Sequence, residues 1–186
     1  MENKDTNNEV REKWANLVAW AVLSVFFVMV DQYTKHLAVI HLKHQEPLVI
    51  WQGVFELLYS ENRGAAFGIL QGQQGFFFII GIFVLVVAAY VMVRLPSWKD
   101  SHYRWLGLCV ILITAGAVGN MVDRILQGYV VDFLYFRLIN FPIFNVADIY
   151  VTTATGVLAV LLLFFYTEED LDILRLRKKS TTVDND

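Results

Sequence analysis

Four long apolar blocks dominate the chain and restrict it to one class of fold. The first block contains 17 mostly apolar residues and each of the other three contains 18. Because an α-helix rises about 1.5 Å per residue, 18 residues cover roughly 27 Å, close to the hydrocarbon thickness of a bilayer. We therefore predict an all-α integral membrane protein with four transmembrane helices. The predicted spans are Trp14–Val30, Phe76–Val93, Trp105–Val122 and Ile149–Tyr166.

The composition agrees with a membrane protein and argues against other classes. Of the 186 residues, 56% are hydrophobic and only 18% are charged, which is unusual for a soluble domain. No basic face with interleaved aromatic residues is present, so a nucleic-acid partner is not expected. The single cysteine, Cys109, excludes an internal disulfide and a cysteine metal cluster, and its apolar neighbours favour a buried, inert thiol.

The length fits one domain with a polar tail at each end. We assign residues 14–166 to the four-span domain, residues 1–13 to a frayed tail, and residues 167–186 to a solvated or disordered tail of alternating charge. The first apolar block could be mistaken for a secretory signal peptide. It is longer than a usual signal core and no small-x-small cleavage site precedes Asp31, so we interpret it as a retained span.

The distribution of Lys and Arg predicts the orientation in the membrane. The two tails and the loop between the second and third spans hold 10 of these residues, and the opposite side holds 5. Cytoplasmic loops carry the excess of positive charge. We therefore expect both termini in the cytoplasm, with Asp31, Asn62, Asp132 and Asp148 at the outer face.

The outer segment 38–75 has no helical pattern and is predicted to be rich in β-structure. Residues 48–51 and 54–60 are short strand-like runs around Gln52 and Gly53, which is typical of a hairpin. The small residues of the following stretch, 62–68, allow a backbone to approach a ligand closely. We expect a small sheet that lies on the membrane surface, beside a loop at 64–68 that moves to admit a substrate.

Asp132 and Asp148 are the main candidates for chemistry, because ionisable residues at the edge of the hydrocarbon are costly and often functional. Two carboxyl groups about 3 Å apart hold one proton between them, so one can activate a water molecule while the other polarises a carbonyl group. Such a pair needs no metal, cofactor or nucleophilic side chain. The structural alternative is that each aspartate caps a helix or pairs with an arginine.

Other polar residues near the span ends permit both structural and functional interpretations. Asp31 and Lys35 are four residues apart, which favours an ion pair on one helix face. Arg124 could neutralise Asp123, or could bind a backbone carbonyl group or a lipid head group. Singly, an asparagine most often satisfies exposed backbone, but three of them share the predicted outer face with both aspartates. These are Asn62, Asn120 and Asn145.

Two further functions use the same carboxylates. A small proton-coupled transporter or channel would place them in a relay near the middle of the bilayer. A metal-dependent lipid phosphotransferase would bind Mg²⁺ through Asp123, Asp132 and Asp148. The cluster of His36, His41 and His44 does not have the spacing of a common metal site, so no metal is expected there.

Five sequence boxes, taken together and in order, resemble the lipoprotein signal peptidases (signal peptidase II), which are bacterial membrane aspartyl proteases. The resemblance covers the chain from about residue 14 to 166. The boxes are DQYTK at 31–35, NRGAAFG at 62–68, GAVGNMVDR at 116–124, GYVVDF at 128–133 and FPIFNVAD at 141–148.

The resemblance implies a function, a fold and a set of site residues. Members remove the signal peptide of a prolipoprotein just before a diacylglyceryl-modified cysteine, at the outer face of the bacterial cytoplasmic (inner) membrane. The implied substrate is a lipidated prolipoprotein, the implied surroundings are membrane lipids, and the implied state is a monomer without cofactor. The implied fold has four transmembrane helices, a small extracytoplasmic β-cradle and a short surface helix around 133–140. The implied catalytic residues are Asp132 and Asp148, with Asn62, Gly64, Asn120, Arg124 and Asn145 lining the site, and Asp31 and Lys35 supporting it; we assign Asp123 a structural role.

Overall fold

Four long helices form the body of the protein in a computed structural model that describes residues 2–64, 72–97 and 100–175. Each is long and apolar enough to cross a membrane, as predicted. A three-stranded sheet covers one end of the helices. The helices are α1 (Glu2–Leu42), α2 (Gln74–Arg94), α3 (Arg104–Gln127) and α4 (Val146–Phe164), with the short α5 (Glu168–Leu171) after them. The strands are β1 (Leu48–Trp51), β2 (Phe55–Asn62) and β3 (Val130–Phe136).

Helix α1 is longer than predicted in both directions. The prediction of a frayed tail at residues 1–13 is wrong for residues 2–13, which are helical, because extending an existing helix costs far less than starting one. The prediction that a β-rich loop begins at residue 38 is also wrong. Ala38 and Leu42 are helical and bury their side chains against Val131 and Phe133 of β3, so the sheet covers this end of the helix.

Helix α3 is the centre of the bundle and packs against α1, α2 and α4. Its buried side chains, among them Ile111 and Cys109, join Trp20 of α1 and Leu161 of α4 in the main apolar core. Gly116 allows α4 to come close, since a Cβ atom there would lie 2.6 Å from the carbonyl oxygen of Ala147. Such close backbone contact is a common way to pack helices in membranes.

The sheet has the order β1-β2-β3, with both pairs antiparallel. The predicted hairpin is present, and Gly53 adopts a positive φ of 71° in its turn. Strand β3 was not predicted. The implied surface helix around 133–140 is wrong for 133–136, which pair with β2, and only Arg137–Ile139 form a single 3-10 turn. β-Branched and aromatic residues such as Val130, Val131 and Phe133 favour a strand.

The residues after α4 are ordered rather than disordered as far as residue 175. Thr167 caps α5 by accepting a hydrogen bond from the backbone N–H of Asp170. Leu171 and Ile173 pack against the main core, which the charge alternation of this segment did not indicate. Residues 176–186 of the predicted tail lie outside the described residues, as do residues 65–68 of the predicted small-residue loop.

Candidate active site

The two predicted catalytic aspartates lie together beneath the sheet. Asp132 is in β3 and Asp148 is in the first turn of α4, and both line one cavity of about 430 Å³. Asp132 is only 2% exposed. The structure also brings the other predicted site residues to this end of the bundle. Asp31 and Lys35 are on α1, Asn62 ends β2, Gly64 follows it, Asn120, Asp123 and Arg124 are on α3, and Asn145 precedes α4.

Both carboxylates are held by amide groups. The two Asp132 oxygens accept hydrogen bonds from the side-chain amides of Asn145 (2.6 Å) and Asn62 (2.9 Å). The Asp148 oxygens accept from the side-chain amide of Asn120 (2.8 Å) and the backbone N–H of Asn145 (3.1 Å). Among the described residues, no Lys or Arg forms an ion pair with either group. The donors orient the carboxylates without neutralising them.

Asn145 positions both aspartates from one place in the sequence. It is the N-cap of α4, and its side-chain oxygen accepts a hydrogen bond from the backbone N–H of Asp148, while Asp148 accepts one in return from the Asn145 backbone. This capping box fixes the first turn of the helix. The Asn145 amide group then donates to Asp132 and to Asn120, so a fully buried side chain ties β3, α3 and α4 together.

The surroundings of Asp132 favour its protonated form. Burial away from water is the largest cause and the nearby charge of Asp148 adds to it, and together they raise the pKa of Asp132 to about 7. The hydrogen bonds from Asn62 and Asn145 act in the opposite direction, since they stabilise the ionised form. The site can therefore hold a proton near neutral pH, which is what general acid catalysis requires.

A buried cation supports the site from the side of α1. The Lys35 ammonium group lies 2.9 Å from Asp31 and 3.0 Å from Asp123, and it donates to Asn120 at 2.8 Å. These three partners use all three of its N–H donors. The predicted ion pair of Asp31 and Lys35 is present, with Asp123 as an additional partner. Through Asn120, the positive charge is one hydrogen-bonded residue away from Asp148.

Asp31 also fixes the position of α4. Its carboxylate is fully buried and accepts a hydrogen bond from the backbone N–H of Ala147, in the first turn of that helix. Gly119 of α3 makes room for it, because a Cβ atom at this position would lie 2.5 Å from an Asp31 oxygen. A negative charge at a helix N-terminus is stabilised by the helix dipole. The network on α1 and α3 thus fixes the position of the first turn of α4, which contains Asp148.

Arg124 extends towards the segment after β2 rather than pairing with its neighbour Asp123. Its guanidinium group lies over the ring of Phe77 and approaches the backbone oxygens of Asn120 and Gly64 at 3.2 and 3.4 Å. Its Nε atom is buried and donates to no described residue. Of the two predicted roles, the geometry favours binding of carbonyl groups, while Asp123 binds Lys35, Gln32 and the backbone N–H of Val131.

Two groups of residues at the site were not predicted from the sequence. Gln32 donates hydrogen bonds to Asp31, to Asp123 and to the backbone oxygen of Gly119, and so cross-links α1 and α3. Its place beside Asp31 in the first box could have indicated this role. Phe141 and Phe144 form an apolar wall of the cavity, which could not be foreseen without strand β3, since Phe144 pairs with Leu134 of that strand.

The geometry bears on the alternative functions. Within the described parts of the chain, no three His, Cys, Asp or Glu side chains are arranged to hold a metal ion. Asp123 faces Lys35 rather than the cavity. Asp148 is the third residue of α4, at a helix end rather than near the middle of a span. This arrangement differs from the relay of carboxylates expected in a transporter.

Known proteins are similar to this chain in sequence. The family model described as Signal peptidase (SPase) II matches residues 23–165. The lipoprotein signal peptidase of Streptococcus thermophilus (strain CNRZ 1066) is 40% identical over 151 residues, which are 81% of this chain and 95% of that protein. The lipoprotein signal peptidase of Caldanaerobacter subterraneus subsp. tengcongensis is 40% identical over 144 residues, which are 77% of this chain and 94% of that protein.

Two solved structures are similar to the present fold. A bacterial membrane enzyme solved by the in meso method at 2.3 Å resolution superposes with a TM-score of 0.69 at 33% identity, over 78% of this chain and 87% of that one. A second, at 1.9 Å resolution, has a TM-score of 0.68 at 32% identity, over 80% and 94%. Each match covers most of this chain and most of the other. This chain therefore belongs to the signal peptidase II family.

Proposed function

We propose that this protein is an aspartic endopeptidase whose catalytic pair is Asp132 and Asp148. As a signal peptidase II family member, it is a multi-pass bacterial membrane protease that removes the signal peptide from prolipoproteins. The proposal adds the chemical type and the site of cleavage, just before the lipidated cysteine. The observation that carries it is the shared cavity, in which the buried carboxyl group of Asp132 and the partly buried one of Asp148 are oriented by neutral amides alone.

The reaction uses one proton held by the pair. The ionised carboxylate removes a proton from a water molecule, and the resulting oxygen attacks the scissile carbonyl carbon. The protonated carboxyl group donates its proton to the carbonyl oxygen as the C–O bond forms. As the tetrahedral intermediate collapses, the C–N bond breaks and the amine takes a proton from one carboxyl group. The other carboxylate takes a proton back from a hydroxyl group of the intermediate, which reforms the carbonyl group and restores the singly protonated pair. A pKa of about 7 for Asp132 allows one carboxyl group to be protonated near neutral pH.

The surrounding polar residues have separate roles in this proposal. Asn62, Asn120 and Asn145 hold the carboxylates at a fixed geometry, which lowers the reorganisation needed in the transition state. Arg124 and Gly64 bind backbone of the substrate beside the scissile bond, since both line the cavity and the guanidinium group already approaches a backbone carbonyl oxygen, that of Gly64. Lys35, Asp31 and Asp123 act indirectly, by fixing the helices that carry the site.

The site lies at a depth suited to a lipidated substrate. Each buried methylene holds an acyl chain in the bilayer by about 0.8 kcal/mol, so a diacylglyceryl group brings its cysteine to the interface. Asp148 lies in the first turn of a transmembrane helix, and Asp132 belongs to the sheet that covers this end of the helices. The excess of Lys and Arg at the other end of the bundle supports the orientation with both termini in the cytoplasm and the site at the outer face. We also propose that the protein acts as a monomer, since all of these residues come from one chain.

The proposal is tested with purified protein and a synthetic diacylglyceryl lipopeptide. Asp132→Asn and Asp148→Asn should each abolish cleavage while the protein remains folded in detergent. Asp170→Asn is the matched control, because this aspartate lies beyond α4 in the cap of α5, away from the cavity. Normal turnover by either cavity variant would refute the assignment of the pair.

A further inference from the structure

The cavity around the catalytic pair continues along α4 into the membrane-spanning part of the bundle. A second cavity of about 380 Å³ lies among α2, α3 and α4, and Asn120, Arg124, Asp148 and Thr152 line both cavities. The two cavities therefore adjoin along α4, and we refer to them together as the groove. Thr155 lines the deeper part of this groove.

The threonines of the groove are chemically conspicuous. A threonine in a transmembrane helix usually satisfies its hydroxyl group with the carbonyl oxygen four residues earlier, as Thr114 of α3 does by donating to Val110 at 2.7 Å. Thr152, Thr153 and Thr155 make no hydrogen bond to any residue that the structure describes, and all three side chains are exposed. Of these, Thr152 and Thr155 line the cavity among the membrane-spanning helices, whereas Thr153 lines only the cavity of the catalytic pair. An unpaired hydroxyl group in an apolar environment costs free energy. A bound molecule with a hydrogen-bond acceptor would remove that cost.

The spacing of the two threonines follows the direction that a substrate would take. Thr152 lies one helical turn after Asp148, and Thr155 follows three residues later, so the hydroxyl groups sit roughly 6 and 10 Å along the helix from the catalytic residue. For the scissile bond to reach the two aspartates, the signal peptide must lose its helical hydrogen bonds beside that bond. This loss leaves peptide carbonyl groups without partners in the hydrocarbon. The glyceryl esters of the lipidated cysteine are carbonyl acceptors at similar depth.

We propose that Thr152 and Thr155 are substrate-binding residues that donate hydrogen bonds to carbonyl oxygens of the substrate within this groove. The inference rests on the proposed function and adds the chemical group that is recognised below the scissile bond. The carbonyl oxygen belongs either to the unwound end of the signal peptide or to the acyl esters. Thr152 is the stronger contact, because it lines both cavities.

The test compares steady-state cleavage by Thr152→Val, which replaces the hydroxyl group by a methyl group at nearly constant volume, and by Thr152→Ser, which keeps the hydroxyl group and loses the methyl group. Loss of one hydrogen bond should lower kcat/KM by about threefold to tenfold for the valine variant, with the serine variant close to the wild type. Thr155→Val should show a smaller loss. Thr114→Val is the control and should not change kcat/KM, because its hydroxyl group bonds within its own helix. If Thr152→Val does not fold, Thr152→Ala replaces it.

Two substrates distinguish the sources of the carbonyl group. In a dialkylglyceryl lipopeptide the esters are replaced by ethers, so the loss caused by Thr152→Val should disappear if the esters are bound. It should persist unchanged if the peptide is bound. Equal activity of wild type and Thr152→Val on both substrates, or equal impairment of the serine and valine variants, would overturn the inference. Failure of the wild type to cleave either lipopeptide would instead refute the proposed function.

Discussion

Asn62 offers a direct test of how the site controls the proton on Asp132. Its side-chain amide donates to an Asp132 oxygen at 2.9 Å and stabilises the ionised form. In Asn62→Ala that donor is lost, so the pKa of Asp132 should rise from its value of about 7. Since the active pair holds one proton, loss of that proton gives the alkaline limb of the pH profile. The limb should therefore move to higher pH.

The size of the shift follows from the hydrogen bond. A hydrogen bond to an ionised acceptor contributes about 1.5–3 kcal/mol, and we take roughly half because water can enter the half-buried space that the side chain leaves. About 1–1.5 kcal/mol corresponds to about one pH unit, so the alkaline limb should lie near pH 8 in the variant. The acid limb should move much less.

The assay is kcat/KM for a lipopeptide in mixed micelles, measured from about pH 5 to 9, a range that contains both expected midpoints. The position of the limb is independent of any loss in maximal rate, so a role of Asn62 in substrate binding does not obscure it. Glu61→Gln is the matched control, because Glu61 is the preceding residue of the same strand and pairs with Lys43 instead. Removing its negative charge should leave the limb in place or lower it slightly. An unchanged or lowered midpoint in Asn62→Ala would refute this electrostatic account.

Three further predictions follow from the supporting network. Lys35→Met should destabilise the protein by about 3–5 kcal/mol, because Asp31 and Asp123 would remain buried without their cation. Thermal unfolding in detergent measures this loss of stability. The double variant Lys35→Met, Asp123→Asn should recover part of it. Gly119→Ala should lower stability by about 1–3 kcal/mol through contact with Asp31, whereas Gly156→Ala, which meets no atom within 4 Å, should leave the unfolding temperature unchanged or slightly higher. EDTA should not alter the cleavage rate, because hydrolysis by the aspartate pair uses no metal ion. Inactivation that Mg²⁺ reverses would favour the phosphotransferase alternative.

Hydropathy predicted the four helices correctly but placed the ends of the first and third helices too early. It treats every charge as a boundary, and so the first span was predicted to stop at Val30. The helix continues because Lys35 is neutralised by buried carboxylates, one of which, Asp123, is on another helix. A pairing between residues so distant in sequence cannot be inferred from local hydropathy. The spacing of Asp31 and Lys35 was the one local indication of a continued helix.

The sheet was predictable only in part. Strands β1 and β2 are neighbours joined by a tight turn, and a turn residue such as Gly53 is recognisable in the sequence. Strand β3 comes from a distant segment, and its pairing with β2 depends on where α3 ends. The short run after Tyr129 is compatible with a strand or a buried helix by length, and the family resemblance favoured a helix. Its β-branched residues were the signal that was underused.

The catalytic candidates were recognisable because carboxylates at span ends cost free energy and the five sequence boxes are specific to one family. Their orientation was not, because it depends on amides from three separate elements, Asn62, Asn120 and Asn145. The unpaired hydroxyl groups of Thr152 and Thr155 also escaped notice. Nothing in a sequence distinguishes a threonine that bonds to its own helix from one that faces a groove.

The central claim is that the pair carries one proton near neutral pH, and infrared spectroscopy of the protonated carboxyl group tests it most directly. Most exposed carboxyl groups are ionised above about pH 5, so between about pH 5 and 8 the C=O stretch should report chiefly the cavity. One protonated carboxyl group per molecule should be present below pH 7 and should ionise with a midpoint of about pH 7. In Asp132→Asn, the C=O band of this group should be absent at about pH 7. The absence of such a band in the wild type at about pH 6, or a midpoint near 4 as for an ordinary aspartate, would contradict it.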